Sequence, residues 1–285
     1  MTIITFWNNN TGKIGQTYSA LAIATHMAIE HNYKILLMST KYNDQVTMQA
    51  FGFSQSVQAL NKLTKNKNSM ELESGIEGMT KLALSSRLTP EVVPNYTRMV
   101  FKDRLEILAA QKSKEGGNVD YIRTYSATKN ILSVARKYYD IIFVDLNNGF
   151  SEAPTREILE MSNIIIINVE QKMSEFDALT ELKEKEKLFT PKNSFTLINR
   201  YDRESKYTSK NITRYLNEKK EVFTVPYDNL FAEAVQEGTA AEFFLNPRIR
   251  KLEDTEDKTA FLISELSRAE QAIVYRMQEL QMRIW

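Results

Sequence analysis

Residues 8–17 read Asn-Asn-Asn-Thr-Gly-Lys-Ile-Gly-Gln-Thr and follow the apolar run 3–7. A strand that turns through glycine into a helix gathers backbone N–H groups around one point, and phosphate oxygens bind well there. Against the spacing G-x-x-x-x-G-K-[ST], Asn10 stands at the first glycine, Gly15 at the second, Gln16 at the lysine and Thr17 at the hydroxyl position. Two of the four defining positions match, so the chemistry on offer is anion binding with one cation missing. Lys13 has two readings of equal weight: a phosphate contact that makes good the missing lysine, or a solvated loop residue. Asp145 ends the apolar run 141–144. The carboxyl end of a buried parallel strand is where ligands of such sheets bind, which favours a functional carboxylate over one that merely ends a strand.

Other chemistries are excluded by composition. The chain has no cysteine, which removes thiol nucleophiles, disulfide scaffolds, iron–sulfur ligation and the common structural zinc sites. Its two histidines, His26 and His31, lie five apart, which does not place both on one helical face; they read as ordinary helix residues. With 37 basic and 36 acidic side chains the net charge is +1, so no global field draws the protein to nucleic acid or an anionic membrane. The N-terminus lacks the pattern of a secretory signal and no apolar run approaches the roughly 18 residues needed to span a bilayer, which predicts a cytoplasmic protein.

The elements that must position these residues are visible as short apolar runs at 3–7, 141–144 and 164–169, with weaker ones at 35–38, 105–108 and 195–198. They show no polar alternation, which implies strands covered on both faces. Helical patterns at 17–30, 127–137 and 175–188 lie between them, so the fold class is α/β, a doubly wound, mainly parallel sheet flanked by helices. One domain spans 1–285, with a helical insertion or crossover over about 46–104 and a C-terminal helix over about 255–285. Within the insertion Lys62, Lys65 and Lys67 read as a solvated loop rather than an anion site. Leu262, Leu266, Ala269, Ile273, Met277, Leu280 and Ile284 form one apolar stripe on the last helix.

The stretch TGKIGQT, with YSALAIATHMA and KILLMST after it, resembles the deviant Walker A region of ParA/MinD-type P-loop ATPases, whose pattern is K-G-G-x-G-K-[ST]. Thr11 stands at the signature lysine, Lys13 at a glycine and Gln16 at the phosphate-binding lysine, while Gly12, Gly15 and Thr17 are retained. YYDIIFVDLNNG (138–149) resembles the Walker B strand, SNIIIINVEQ the strand after it, LINRYD the base-binding strand and loop, and VPYDNLFAEAVQEGTAAEFF the segment with a proline and a following helix. The resemblance implies ATP held by Thr11, Gly12, Lys13, Ile14, Gly15, Gln16, Thr17 and Tyr18, the base beside Asn199 and Pro226, and Mg2+ on Thr17, with Asp145 acting through water. The missing signature lysine points to the CpaE/TadZ-like branch, which helps place Flp or type IV pilus secretion machinery; the likeness covers its ATPase-like part.

The family's acidic stretch after the second strand is replaced by Ser39-Thr40-Lys41, so the expected catalytic carboxylate is absent; Asp44 reads as a solvated loop residue. Gln16 donates a hydrogen bond but carries no charge. Nucleotide binding with slow or negligible ATP hydrolysis follows, in a homodimerising factor that positions a membrane-associated or secretion assembly. The alternatives are a partition ATPase that binds DNA without sequence preference, for which the charge balance offers no basic surface, and a nucleotide-free interaction scaffold. The last helix mixes Glu265, Glu270 and Glu279 with Arg268, Arg276 and Arg283 on its polar face, which suits core packing or a partner helix better than peripheral contact with the inner face of a membrane.

Overall fold

The computed structural model describes residues 1–9, 12, 14–41, 45–53, 75–109, 118–146, 153–219, 221–251 and 256–282. Asn10, Thr11, Lys13, Asp44, the three insertion lysines and residues 283–285, which the sequence pattern assigns to the last helix, lie outside them.

Eight strands form one sheet: β1 (Thr2–Trp7), β2 (Ile35–Ser39), β3 (Arg98–Phe101), β4 (Leu105–Leu108), β5 (Ile141–Asp145), β6 (Ile164–Glu170), β7 (Ser194–Tyr201) and β8 (Phe223–Pro226). Their order across the sheet is β3-β4-β2-β5-β1-β6-β7-β8, and every pairing is parallel except β3 with β4. The six apolar runs read from the sequence are β1, β2, β4, β5, β6 and β7. Edge strands β3 and β8 carry no such run: β3 is half exposed and irregular in register, and β8 is four residues long and ends in proline.

Each strand divides its side chains between two cores. Ile4 and Phe6 of β1, Ile35 and Leu37 of β2, and Ile141 and Phe143 of β5 face one way. Ile3, Trp7, Leu36, Met38, Ile142 and Val144 face the other. The first core is covered by α1 (Gln16–Glu30), α2 (Gln45–Gln49), α8 (Asn229–Glu237), α9 (Ala240–Leu245), α10 (Pro247–Arg250) and α11 (Lys258–Met282). The second is covered by α3 (Ile76–Leu84), a 3-10 turn (Pro90–Tyr96), α4 (Asn118–Ala135), α5 (Ala153–Met161), α6 (Met173–Lys185) and α7 (Ser209–Tyr215).

Helix α1 is buried continuously from Ser19 to Ala28, an unusual state for a helix in a three-layer fold. Its alanines at 20, 22, 24 and 28 allow the sheet to approach on one side while α9 and α11 close the other. The apolar stripe of α11 is spent in this packing, since Leu262, Leu266, Ala269, Ile273 and Met277 are all buried against α1 and β8. No described helix is long and apolar enough to cross a membrane.

Strand parity positions the site. Asp145 continues the series Ile141, Phe143 on the α1 side of the sheet, and in register it lies between Phe6 of β1 and Ser39 of β2. The ends of three neighbouring strands and the first turn of α1 thus meet at one place.

Candidate nucleotide site

The turn into α1 depends on Gly15, whose φ of 91° and ψ of 6° put it in the left-handed region that a side chain disfavours. Helix α1 starts at Gln16, and its first N–H groups have no partner within the helix, as at any helix start. Ile14 is buried and donates its N–H to Gly12 O at 3.1 Å, which tightens the turn. Tyr18 is half-buried, and its ring meets Phe231 edge-on at 6.3 Å.

Gln16 points inward. Its side chain is 3% exposed; Oε1 accepts from Asn8 Nδ2 at 2.6 Å, and Nε2 faces Asp145 Oδ1 at 2.6 Å, Leu146 O at 2.8 Å and Phe6 O at 3.1 Å. A neutral amide surrounded by acceptors at the ends of β1 and β5 is fully satisfied there. The side chain ties the loop to the sheet, and its two N–H hydrogens are consumed by internal acceptors.

Thr17 Oγ1 donates to Asp145 Oδ2 at 2.7 Å, so the hydroxyl and the carboxylate are brought together as the resemblance implies. Between them stands Lys41. Its Nζ lies 2.6 Å from Thr17 Oγ1, 2.8 Å from Asp145 Oδ1 and 2.9 Å from Asp145 Oδ2. Asp145 is 1% exposed and receives Gln16, Thr17 and Lys41 together, which fills the roughly four acceptor sites of a carboxylate. The buried charge has its counter-ion in contact, the condition under which a buried carboxylate is tolerated.

Lys41 is delivered by backbone geometry. Strand β2 ends at Ser39 opposite Asp145, Thr40 N–H donates to Asp145 O at 3.1 Å, and Lys41 follows directly with its own N–H on Ser39 Oγ at 3.3 Å. The sequence showed that a carboxylate is missing from Ser39-Thr40-Lys41; it did not show that Lys41 closes on Asp145, 104 residues away. The signal was there in its sign, a cation where the resemblance implies an acid.

Asn199 ends the regular part of β7 and is fully buried. Ser19 Oγ donates to its Oδ1, while its Nδ2 has no hydrogen-bond partner among the described residues. The next residue, Arg200, sits in a bulge of the β7–β8 pairing with φ of 51°, and the bulge turns its side chain onto the α1 turn. A Cβ added at Gly15 would lie 3.4 Å from Arg200 Cγ and 3.5 Å from Asn199 Cβ, so Asn199 and Arg200 both border the loop. Pro226 is paired with Tyr201 at the end of β8. Arg200 was not singled out in the sequence, although LINRYD contains it; half-exposed and 3.8 Å from Glu170, it is a second cation at the rim.

Magnesium does not fit this arrangement. The resemblance puts the ion on Thr17 Oγ1, at a usual distance of about 2.0–2.1 Å, with Asp145 behind a water; here the Lys41 ammonium holds both carboxylate oxygens that would take that water and crowds the hydroxyl that would take the ion. Among the described residues no group of three or more His, Asp or Glu side chains could hold a metal ion. The site therefore offers, among the described residues, a helix N-terminus, a glycine turn, the cations Lys41 and Arg200, and no free carboxylate to activate water.

No protein-family model matches the sequence, and no curated protein matches it. Solved structures do. The chain is similar to a ParA family ATPase from Chlorobium tepidum TLS, with 14% identity, a TM-score of 0.65, and coverage of 92% of this chain and 96% of that one. It is similar to the septum site-determining protein MinD in complex with Mg-ADP from Pyrococcus horikoshii OT3, with 14% identity, a TM-score of 0.63, and coverage of 96% and 98%. It is also similar to the MinC:MinD cell division protein complex of Aquifex aeolicus, with 16% identity, a TM-score of 0.59, and coverage of 95% and 96%. Over nearly its whole length, then, this chain has the fold of the ParA and MinD ATPases.

Proposed function

We propose that the chain is a nucleotide-responsive positioning factor: it binds ATP at the turn between β1 and α1, hydrolyses it slowly or not at all, and uses the bound state to homodimerise and place another protein assembly. The observation that carries this reading is the combination at one site. The Gly15 turn and the start of α1 are kept over the carboxyl ends of β1 and β5, while β2 delivers Lys41 in place of an acid. Phosphate binding uses the first set of groups, and water activation needs what the second lacks.

Placement of a partner is supported by the kind of protein that shares the fold: in the Aquifex structure MinD is in complex with MinC. A pilus or secretion apparatus at the membrane is the assembly implied by the likeness to the CpaE/TadZ branch. A nucleotide-free scaffold is the second reading, and the inward amide of Gln16 favours it, because the side chain at the phosphate-binding lysine position is committed to the protein itself. DNA partition has the least support, with a net charge of +1.

Titrating the full chain with ATP while following heat, molecular mass and phosphate release is the test. Saturable binding with conversion of monomer to dimer and no phosphate release above background is the expected result. Absence of binding at millimolar ATP in folded protein would establish the scaffold reading, and multiple-turnover hydrolysis would overturn the proposal.

A further inference from the structure

The Lys41 ammonium holds the two groups that would hold a divalent cation, the Thr17 hydroxyl directly and the Asp145 carboxylate through water. Its three N–H donors match three acceptor atoms, Thr17 Oγ1, Asp145 Oδ1 and Asp145 Oδ2, at 2.6, 2.8 and 2.9 Å. The Lys41 side chain keeps 22% of its surface exposed while Asp145, which it touches, is 1% exposed. Gln16 supports the arrangement by occupying Asp145 Oδ1 from the other side with a neutral donor, where an ammonium would add a second positive charge beside Lys41.

We infer that Lys41 is a tethered replacement for the divalent cation, and that this site takes its polyphosphate ligand free of metal. A hydrated metal ion and the Lys41 ammonium compete for the same hydroxyl and carboxylate and repel each other; the ammonium is covalently present at all times and the ion is not. Lys41 Nζ touches Thr17 in the first turn of α1, so a phosphate oxygen at that turn reaches it by exchange with one Asp145 oxygen. As regards the nucleotide, the inference rests on the proposed function; as regards the metal, it stands on the Lys41 geometry alone.

Two measurements on the full chain test it. Thermal melts compare wild type with Lys41→Ala in EDTA and in magnesium chloride, without nucleotide. The wild-type Tm is expected to be the same in both, whereas Lys41→Ala melts lower in EDTA and recovers part of the loss in magnesium, because Asp145 is then buried without its counter-ion. ATP affinity is measured in the same two buffers. Wild type is expected to bind as well in EDTA as in magnesium, and Lys41→Ala to bind about tenfold more weakly in EDTA than in magnesium.

A wild-type protein whose Tm rises with magnesium, or whose ATP affinity requires it, would overturn the inference and leave the proposed function standing. So would a Lys41→Ala protein whose melting ignores magnesium. If ATP does not bind in either buffer, the proposed function fails and the metal melts alone decide the inference. Should Lys41→Ala not fold, Lys41→Gln keeps one donor on Asp145 and carries the same comparison.

Discussion

Gln16 stands where the resemblance implies a phosphate-binding lysine, and its side chain takes a different course. A lysine at this position serves by reaching outward with its charge; the glutamine here turns inward and closes hydrogen bonds with Asn8, Asp145 and Leu146. Gln16→Ala is therefore expected to act on stability, leaving buried donors and acceptors on both strands without partners. A loss of about 2–3 kcal/mol is expected in urea denaturation, with ATP affinity changed by no more than about twofold. A variant of unchanged stability and sharply weakened ATP binding would mean instead that the amide contacts phosphate. Part of this was legible in the sequence: Gly15, Gln16, Thr17 and Asp145 are named by spacing and by strand position. Which way the amide points was not, because its acceptors come from a loop and a strand end up to 130 residues away.

At the level of elements, the insertion meets the C-terminal half of the chain at a pair of glycines. Gly52, past the end of α2, and Gly238, which caps α8, have φ of 72° and 83°. A Cβ on Gly238 would come within 2.9 Å of Gly52 Cα and N, whereas one on Gly52 would meet Gly238 O at 3.5 Å, an ordinary contact. Gly52→Ala should thus cost only the left-handed backbone penalty, about 1–2 kcal/mol, and Gly238→Ala should cost more, about 2–4 kcal/mol, since backbone must also move. Denaturation of the two variants side by side checks the order, and equal losses would show that close approach contributes nothing. A contact between Gly238 and a residue 186 positions earlier has no local signature in the sequence. The same limit hid β3 and β8: central strands announce themselves by being apolar on both faces, while an edge strand with one exposed face or a short length does not. Residues 17–30 were readable as a helix for the opposite reason, a long run of good helix formers after a glycine turn.

Across the whole molecule, the first helix and the last are joined by a buried polar cluster under the layer that covers the first core. Glu270 of α11 is 1% exposed; its Oε1 lies 2.8 Å from His26 Nδ1 of α1, and its Oε2 lies 3.6 Å from His31 Nε2. The two histidines that read as ordinary helix residues thus hold α11 to α1. Burial pushes the Glu270 carboxyl above its ordinary value of 4.5, and the nearby His26 opposes that shift without cancelling it. The folded protein then holds the Glu270 proton at pH values where the unfolded chain has released it. This term's stabilisation is complete below pH 4.5 and is lost as pH rises through the elevated folded value. Glu270→Gln removes the titration and keeps a hydrogen-bonding side chain. The stability advantage of wild type over Glu270→Gln in urea denaturation should accordingly shrink from pH 5 to pH 7. An advantage that is unchanged or grows over the same range would mean that burial does not raise the Glu270 carboxyl in the folded protein.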